Sequence, residues 1–192
     1  MVLPICQKVL LLAYFTSRHI AAIAISAALY GVLSAYIAPI FWGITHLPFF
    51  CDAIGIFTFI VVLWWIRKFG AITMTGTIAT VITLTLNPYS TQFFGFLAAS
   101  IVFDALTKLV GYKNSLEKPM LSTMILLLAS VVSTAIAGVI IGYVFMKPNV
   151  LLTLFGGVTF FAALHAAGGV IEAIVGIVVI KALTTRVNLA KV

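Results

Sequence analysis

Acidic side chains are nearly missing from this chain of 192 residues, which has four Asp and Glu in all against 11 Lys and Arg. Charged residues make up 8% of it, where a soluble domain carries about 25%. Apolar residues make up 64%, at a mean hydropathy of +1.27. Such a polypeptide has lipid as its main solvent, so the composition reads as an integral membrane protein and excludes an ordinary soluble domain. The net charge of +7 does not point to nucleic acid, because the basic residues form no cluster or stripe.

Cysteine is scarce too. Cys6 and Cys51 are too few for a disulfide framework, and the topology below expects them on opposite sides of the membrane as packing residues. Motifs for chemistry are absent: there is no His-Glu-x-x-His, no Gly-x-Ser-x-Gly and no phosphate-binding glycine loop with Gly-Lys-Ser or Gly-Lys-Thr. The chain therefore reads as no enzyme, without cofactor or metal, and unable to power transport from a nucleotide by itself. Asn87-Pro88-Tyr89 lacks the alanine and the second copy that a water channel needs. The apolar run at 9–15 is short for a signal segment and is followed by Thr16-Ser17-Arg18-His19 rather than a small-residue cleavage site, so no leader is expected.

What is present is a series of long apolar stretches. A bilayer core of about 30 Å needs about 20 helical residues, and the dips in hydropathy leave about six such spans. They fall near 20–38, 53–66, 69–86, 90–110, 121–145 and 158–181. The expected fold is an all-α integral membrane bundle, a single transmembrane domain over 1–192, with a tight hairpin around Arg67, Lys68 and Gly70. Lys8, Arg18, Arg67, Lys68, Lys108, Lys113, Lys118, Lys181, Arg186 and Lys191 sit in alternate gaps, and Lys147 alone stands in the others. Basic residues collect on the cytoplasmic side, so the N and C termini are both expected there, in a multi-pass protein of the cell membrane.

Small residues recur at helical spacing on two spans: Ala24, Ala28, Gly31 and Ala35 on the first, and Ser130, Thr134, Gly138 and Gly142 on the fifth. Such ridges let backbones approach closely in lipid. Either they pack the bundle internally or, for the first span, they form a face for another membrane subunit. The third span carries Thr73, Thr75, Thr77, Thr80, Thr83 and Thr85, a strand-like composition. A lone strand in lipid leaves its backbone unsatisfied, so a helix is expected, with hydroxyls bonded to the preceding turn or a neighbouring helix.

Two of the carboxylates, Asp104 and Glu172, fall near the middle of their spans, where a charge costs several kcal/mol and belongs in the protein interior or a wet cavity. Asp104 stands one turn before Lys108 and can form a plain intrahelical ion pair with it. Glu172 has no basic residue within a turn. His165 precedes it by about two turns on the same face, with Gly168 and Gly169 between, so the last span can line one wall of a cavity. This spacing matches no zinc motif. The outer gap 39–52 is expected as an aromatic loop in which Trp42, Phe49 and Phe50 close over a flat heterocycle, with His46 or Asp52 as polar contact. Asn87, Tyr89 and Gln92 at the next outer turn would stand opposite. The plainer alternative for these rings is an interfacial belt.

A chain of this size with six spans, both ends inside, Ala24-x-x-x-Ala28 on the first helix and an aromatic outer loop resembles the substrate-binding S components of energy-coupling factor (ECF) transporters. Within that family it is most similar to the YkoE-like group, associated with thiamine or hydroxymethylpyrimidine. The matching stretches are Pro48 to Gly70, with Asp52, Gly55 and Ile66-Arg67-Lys68-Phe69-Gly70, then Asn87 to Gly95, and Phe103-Asp104-Ala105 leading to Gly111-Tyr112-Lys113-Asn114. It departs from the group in having Asp104 where Glu is usual, and threonines at 75–85 where the third helix carries acids. The resemblance implies a vitamin captured from outside and a transmembrane coupling subunit with two cytoplasmic ATPases as partners, the first-helix ridge sliding on the coupling subunit. Two other readings stay open: a proton-coupled secondary carrier using Asp104 or Glu172, and a membrane scaffold without ligand.

Overall fold

In the computed structural model of the chain, residues 14–117 and 119–186 are described. The expectations that fell on Cys6, Lys8, Lys118 and Lys191 lie outside them. Six helices make the bundle: α1 (Ser17–Thr45), α2 (Phe49–Ile66), α3 (Ala71–Leu86), α4 (Phe93–Val110), and two more after a short α5 (Tyr112–Leu116). These are α6 (Pro119–Ile140), prolonged by a π-helical turn at Ile141–Phe145, and α8 (Val158–Arg186); between them lies a short α7 (Pro148–Phe155). Among the described residues, five helices are long and apolar enough to cross a membrane, and α3 is an apolar helix of 16 residues spanning about 24 Å. No strand occurs among the described residues. The protein is an all-α membrane bundle, as its hydropathy implies.

The helices close a ring in the order α1, α3, α4, α6, α8, α2, with α6 against α8 the most extensive interface. Cross-contacts fix which ends lie together. Lys68 donates to the Tyr14 carbonyl at 2.6 Å, Arg67 pairs with Glu117 at 3.1 Å, and the Trp64 indole donates to the Thr184 hydroxyl at 2.9 Å. The basic turns thus share one end of the bundle, and the α1–α2, α3–α4 and α6–α8 connections share the other.

Threonine makes a helix of α3 in the way lipid demands. Thr75, Thr77, Thr80, Thr83 and Thr85 each donate to the carbonyl four residues back, at 2.7–2.9 Å. Its N-terminus has no cap of its own, since Gly70 opens it at φ +88°. Asp104 of α4 supplies the cap: its Oδ2 accepts from Gly70 N at 2.9 Å, Thr73 N at 3.1 Å and the Thr73 hydroxyl at 2.9 Å. The local ion pair expected with Lys108 is not what forms, because Lys108 sits 4.0 Å over the Phe69 ring instead.

Boundaries differ most around the expected outer loop at 39–52. Helix α1 runs through Pro39 to Thr45 instead of ending near 38, and α2 opens at Phe49 instead of 53, so the outer loop is a helical hairpin turning on His46, Leu47 and Pro48. A proline inside a helix orphans the carbonyl one turn back. Here that group is the Ala35 carbonyl, and the Asn87 side-chain amide donates to it at 3.3 Å. The gap at 146–157 likewise contains α7, and the last helix continues to Arg186 rather than 181.

The two small-residue ridges have different fates. Ser130, Thr134, Gly138 and Gly142 are all buried, the two glycines against Ala162, His165, Phe161 and Val158 of α8. On the first helix the ridge splits. Gly31 and Ala35 are buried against α3, where a Cβ on Gly31 would come within 2.8 Å of Ile82, while Ala24 and Ala28 stay exposed. Gly31 and Ala35 therefore belong to internal packing rather than to a face for a partner.

Candidate functional site

The end opposite the basic turns holds a cavity of about 340 Å³, near the lower limit of small-molecule sites, about 300–1,000 Å³. Four helices and the turns between them contribute to its wall: Ser34, Ala38 and Trp42 from α1, Cys51 from α2, Asn87 and Gln92 around the α3–α4 turn, and Phe93 and Phe96 from α4. Ile141 and Phe145 come from the π turn, and Phe161 and His165 from α8. The π turn closes through Met146 N to Ile141 O at 3.0 Å, and its wider coil brings Ile141, Phe145 and Met146 to the wall together. Rings dominate: Trp42 lies 6.0 Å from Phe155 between centroids, and Phe155 4.9 Å from Phe161.

His165 is the polar anchor of this wall. Its Nδ1 lies 2.8 Å from Asp52 Oδ1, and both side chains are buried, at 2% and 0% exposure. Phe161 meets the imidazole edge-on at 4.8 Å and Phe96 at 6.1 Å. Glycine makes the approach possible. A Cβ on Gly168 would come 2.9 Å from Asp52 Oδ2, 3.2 Å from the Phe49 ring and 3.3 Å from Glu172 Oε1, so only a bare Cα lets these three groups meet. Among buried polar atoms without a protein partner are His165 Nε2, Asp52 Oδ2, Glu172 Oε2 and the Tyr30 hydroxyl. Tyr30 lies beside α2, where a Cβ on Gly55 would come 2.7 Å from that hydroxyl.

Of the residues singled out from the sequence, Trp42, Asn87, Tyr89, Gln92 and His165 line the cavity. Asn87 is already engaged, donating to Ala35 and accepting from Tyr89 N at 3.3 Å, and Tyr89 is 93% exposed and projects outward. Asp52 and Phe49 stand behind the wall, and Glu172 lies a further two turns along α8 from His165, buried beside Asp52. His46 is exposed as the left-handed C-cap of α1, at φ 55°. Phe50 stacks on Phe41 at 5.4 Å rather than over the cavity. Asp104 is at the opposite end as the α3 cap and takes no part in the site. Sequence reading missed Ser34, Phe93, Phe96, Ile141, Phe145 and Phe161. The apolar ones look like lipid-facing residues in one dimension. Ser34 could have been found, four residues after Tyr30 and four before Ala38 on a buried face.

The site offers flat apolar surfaces with a few polar groups at one wall, suited to a small planar solute with a polar edge. Among the described residues no group of three or more His, Cys, Asp and Glu is placed to hold a metal ion. No protein-family model, no curated protein and no solved structure matches the chain.

Proposed function

We propose that the chain is a solute-binding membrane protein that captures a small planar heterocycle in this cavity, acting as the substrate-binding S component of an ECF-type importer. The proposed solute is thiamine or its hydroxymethylpyrimidine precursor. In this reading both termini are cytoplasmic, the cavity opens outward in the cell membrane, and a coupling subunit with two ATPases supplies the energy. The observation that carries it is the aromatic cavity with His165 at its wall and the buried Asp52 behind that ring, at the end away from the basic turns. An aminopyrimidine supplies a flat face for the Trp42 and Phe rings and a polar edge for His165. Binding without chemistry suffices. Exposed Ala24 and Ala28 leave a narrow face on α1 for the coupling subunit.

Native mass spectrometry of the purified protein, with and without added thiamine and hydroxymethylpyrimidine, tests this reading. A mass shift matching either compound, lost in His165→Gln, supports it; the absence of any bound small molecule refutes it. One observation favours a second reading, a proton-coupled carrier: the buried Asp52–His165 pair with Glu172 beside it is the kind of ionisable group found on intramembrane proton paths. Uptake that follows a proton gradient and needs no ATPase partner would decide for it. The scaffold reading asks for helix packing alone and gives no role to a partly polar cavity.

A further inference from the structure

We propose that Asp52 is a positioning residue acting through His165, holding the imidazole with Nδ1 as donor to Asp52 Oδ1 and Nε2 as a bare acceptor at the cavity wall, so that the cavity selects solutes presenting an N–H or O–H donor. This rests on the cavity being a solute site, as above, and adds the chemistry by which it discriminates.

The pair is built by tertiary structure from residues 113 apart in the chain, at 2.8 Å. A carboxylate only accepts, so the nitrogen facing it carries a proton, and the hydrogen bond at one ring nitrogen sets the role of the other. His165 Nε2 has no protein partner although the residue is 1% exposed. A neutral imidazole carries a proton on one ring nitrogen only, so with Nδ1–H given to Asp52 it is Nε2 that stays bare.

The ring has little freedom to exchange the two nitrogens. Phe161 and Phe96 flank it, and α6 closes on it so tightly that a Cβ on Gly138 would come 2.8 Å from His165 Cδ2 and 3.0 Å from its Cβ. Asp52 is held in turn by the Gly168 gap, with Phe49 at its side. Neither carboxylate is part of the cavity wall, whereas His165 is. The solute therefore meets the imidazole, and Asp52 acts on it only through that ring. An exocyclic amino group on a heterocycle has the right chemistry: a flat face for Trp42 and Phe93, which line the same cavity as His165, and an N–H donor for Nε2.

His19, His46 and His165 are the chain's three histidines, so 15N-histidine labelling of the whole protein in lipid nanodiscs gives few signals, and His165→Gln assigns the one that matters. The expected result is a protonated Nδ1 and a bare Nε2 at His165. Asp52→Asn, which keeps an acceptor, should retain that pattern, and Asp52→Ala should give a mixture of tautomers. A proton on Nε2 in the unaltered protein overturns the proposal.

Affinity is read separately by equilibrium dialysis, using hydroxymethylpyrimidine and the analogue whose amino group is replaced by methyl. The amino compound should bind tighter by at least about tenfold. That preference should vanish in His165→Phe, fall in Asp52→Ala and return in Asp52→Asn. Equal preference in the unaltered protein and His165→Phe overturns the proposal. If neither compound binds, the vitamin reading fails, and the nitrogen signals still decide whether Asp52 positions a bare acceptor.

Discussion

Replacing Asp104 with alanine removes the side chain that caps α3. Oδ2 accepts from two backbone N–H groups and one hydroxyl at 2.9–3.1 Å, and the residue is 0% exposed. Loss of an N-cap alone costs about 0.5–2 kcal/mol. Bonds to a charged group are worth about 1.5–3 kcal/mol each, and leaving their buried donors unmatched adds desolvation. The three bonds share one oxygen and do not add fully, so Asp104→Ala is expected to lower stability by about 3–5 kcal/mol. Asp104→Asn keeps a neutral acceptor and should lose about 1–2 kcal/mol. Reversible unfolding in detergent measures the loss, and hydrogen exchange at Thr73 locates it. Solute affinity of the folded fraction should be unchanged, since the cap and cavity are at opposite ends. Stability within about 0.5 kcal/mol of the unaltered protein, or a selective loss of affinity without loss of stability, refutes this account and returns Asp104 to the site.

Gly168→Ala places a methyl group 2.9 Å from Asp52 Oδ2 and 3.2 Å from Phe49, so the Asp52 carboxylate and the Phe49 ring must give way; a loss of about 1–3 kcal/mol in unfolding and a weakened His165–Asp52 signal are expected. Asn87→Ala should cost about 1 kcal/mol by orphaning the Ala35 carbonyl, and much less in a Pro39→Ala background, where a restored N–H takes that carbonyl. A double-mutant cycle with no coupling would refute the exchange of partners. Glu117→Gln breaks the Arg67 pair, but both side chains are well exposed, at 38% and 47%, so its effect should stay below about 0.5 kcal/mol and shrink with salt.

Hydropathy is a property of consecutive residues, and the features that depend on it were legible. Six apolar stretches became six helices, the basic gaps gathered at one end, and the threonines of α3 bonded back along their own helix. The hairpin at Arg67 to Gly70 formed where the short gap required it, on left-handed Arg67 and Gly70. The run of the first helix through Pro39 was not legible, because a proline inside a helix looks the same in sequence whether its orphaned carbonyl is satisfied or not. Only the arrival of Asn87 from another helix decides that.

The sequence by itself therefore determined that this is a membrane bundle, that Asp104, Glu172 and the His165 face of the last span are too polar to face lipid, and that Asp52 stands at the outer end. Tertiary structure alone decided what those four do. Rotation and close approach of α2 and α8 over Gly168 joined Asp52 to His165, and the packing of α4 on α3 turned Asp104 into a cap. The physical reason is that burying a polar group in lipid demands a partner without specifying it. The partner is set by helix rotation and tilt, which arise from side-chain packing across the whole ring and leave no trace in the order of residues along any one helix.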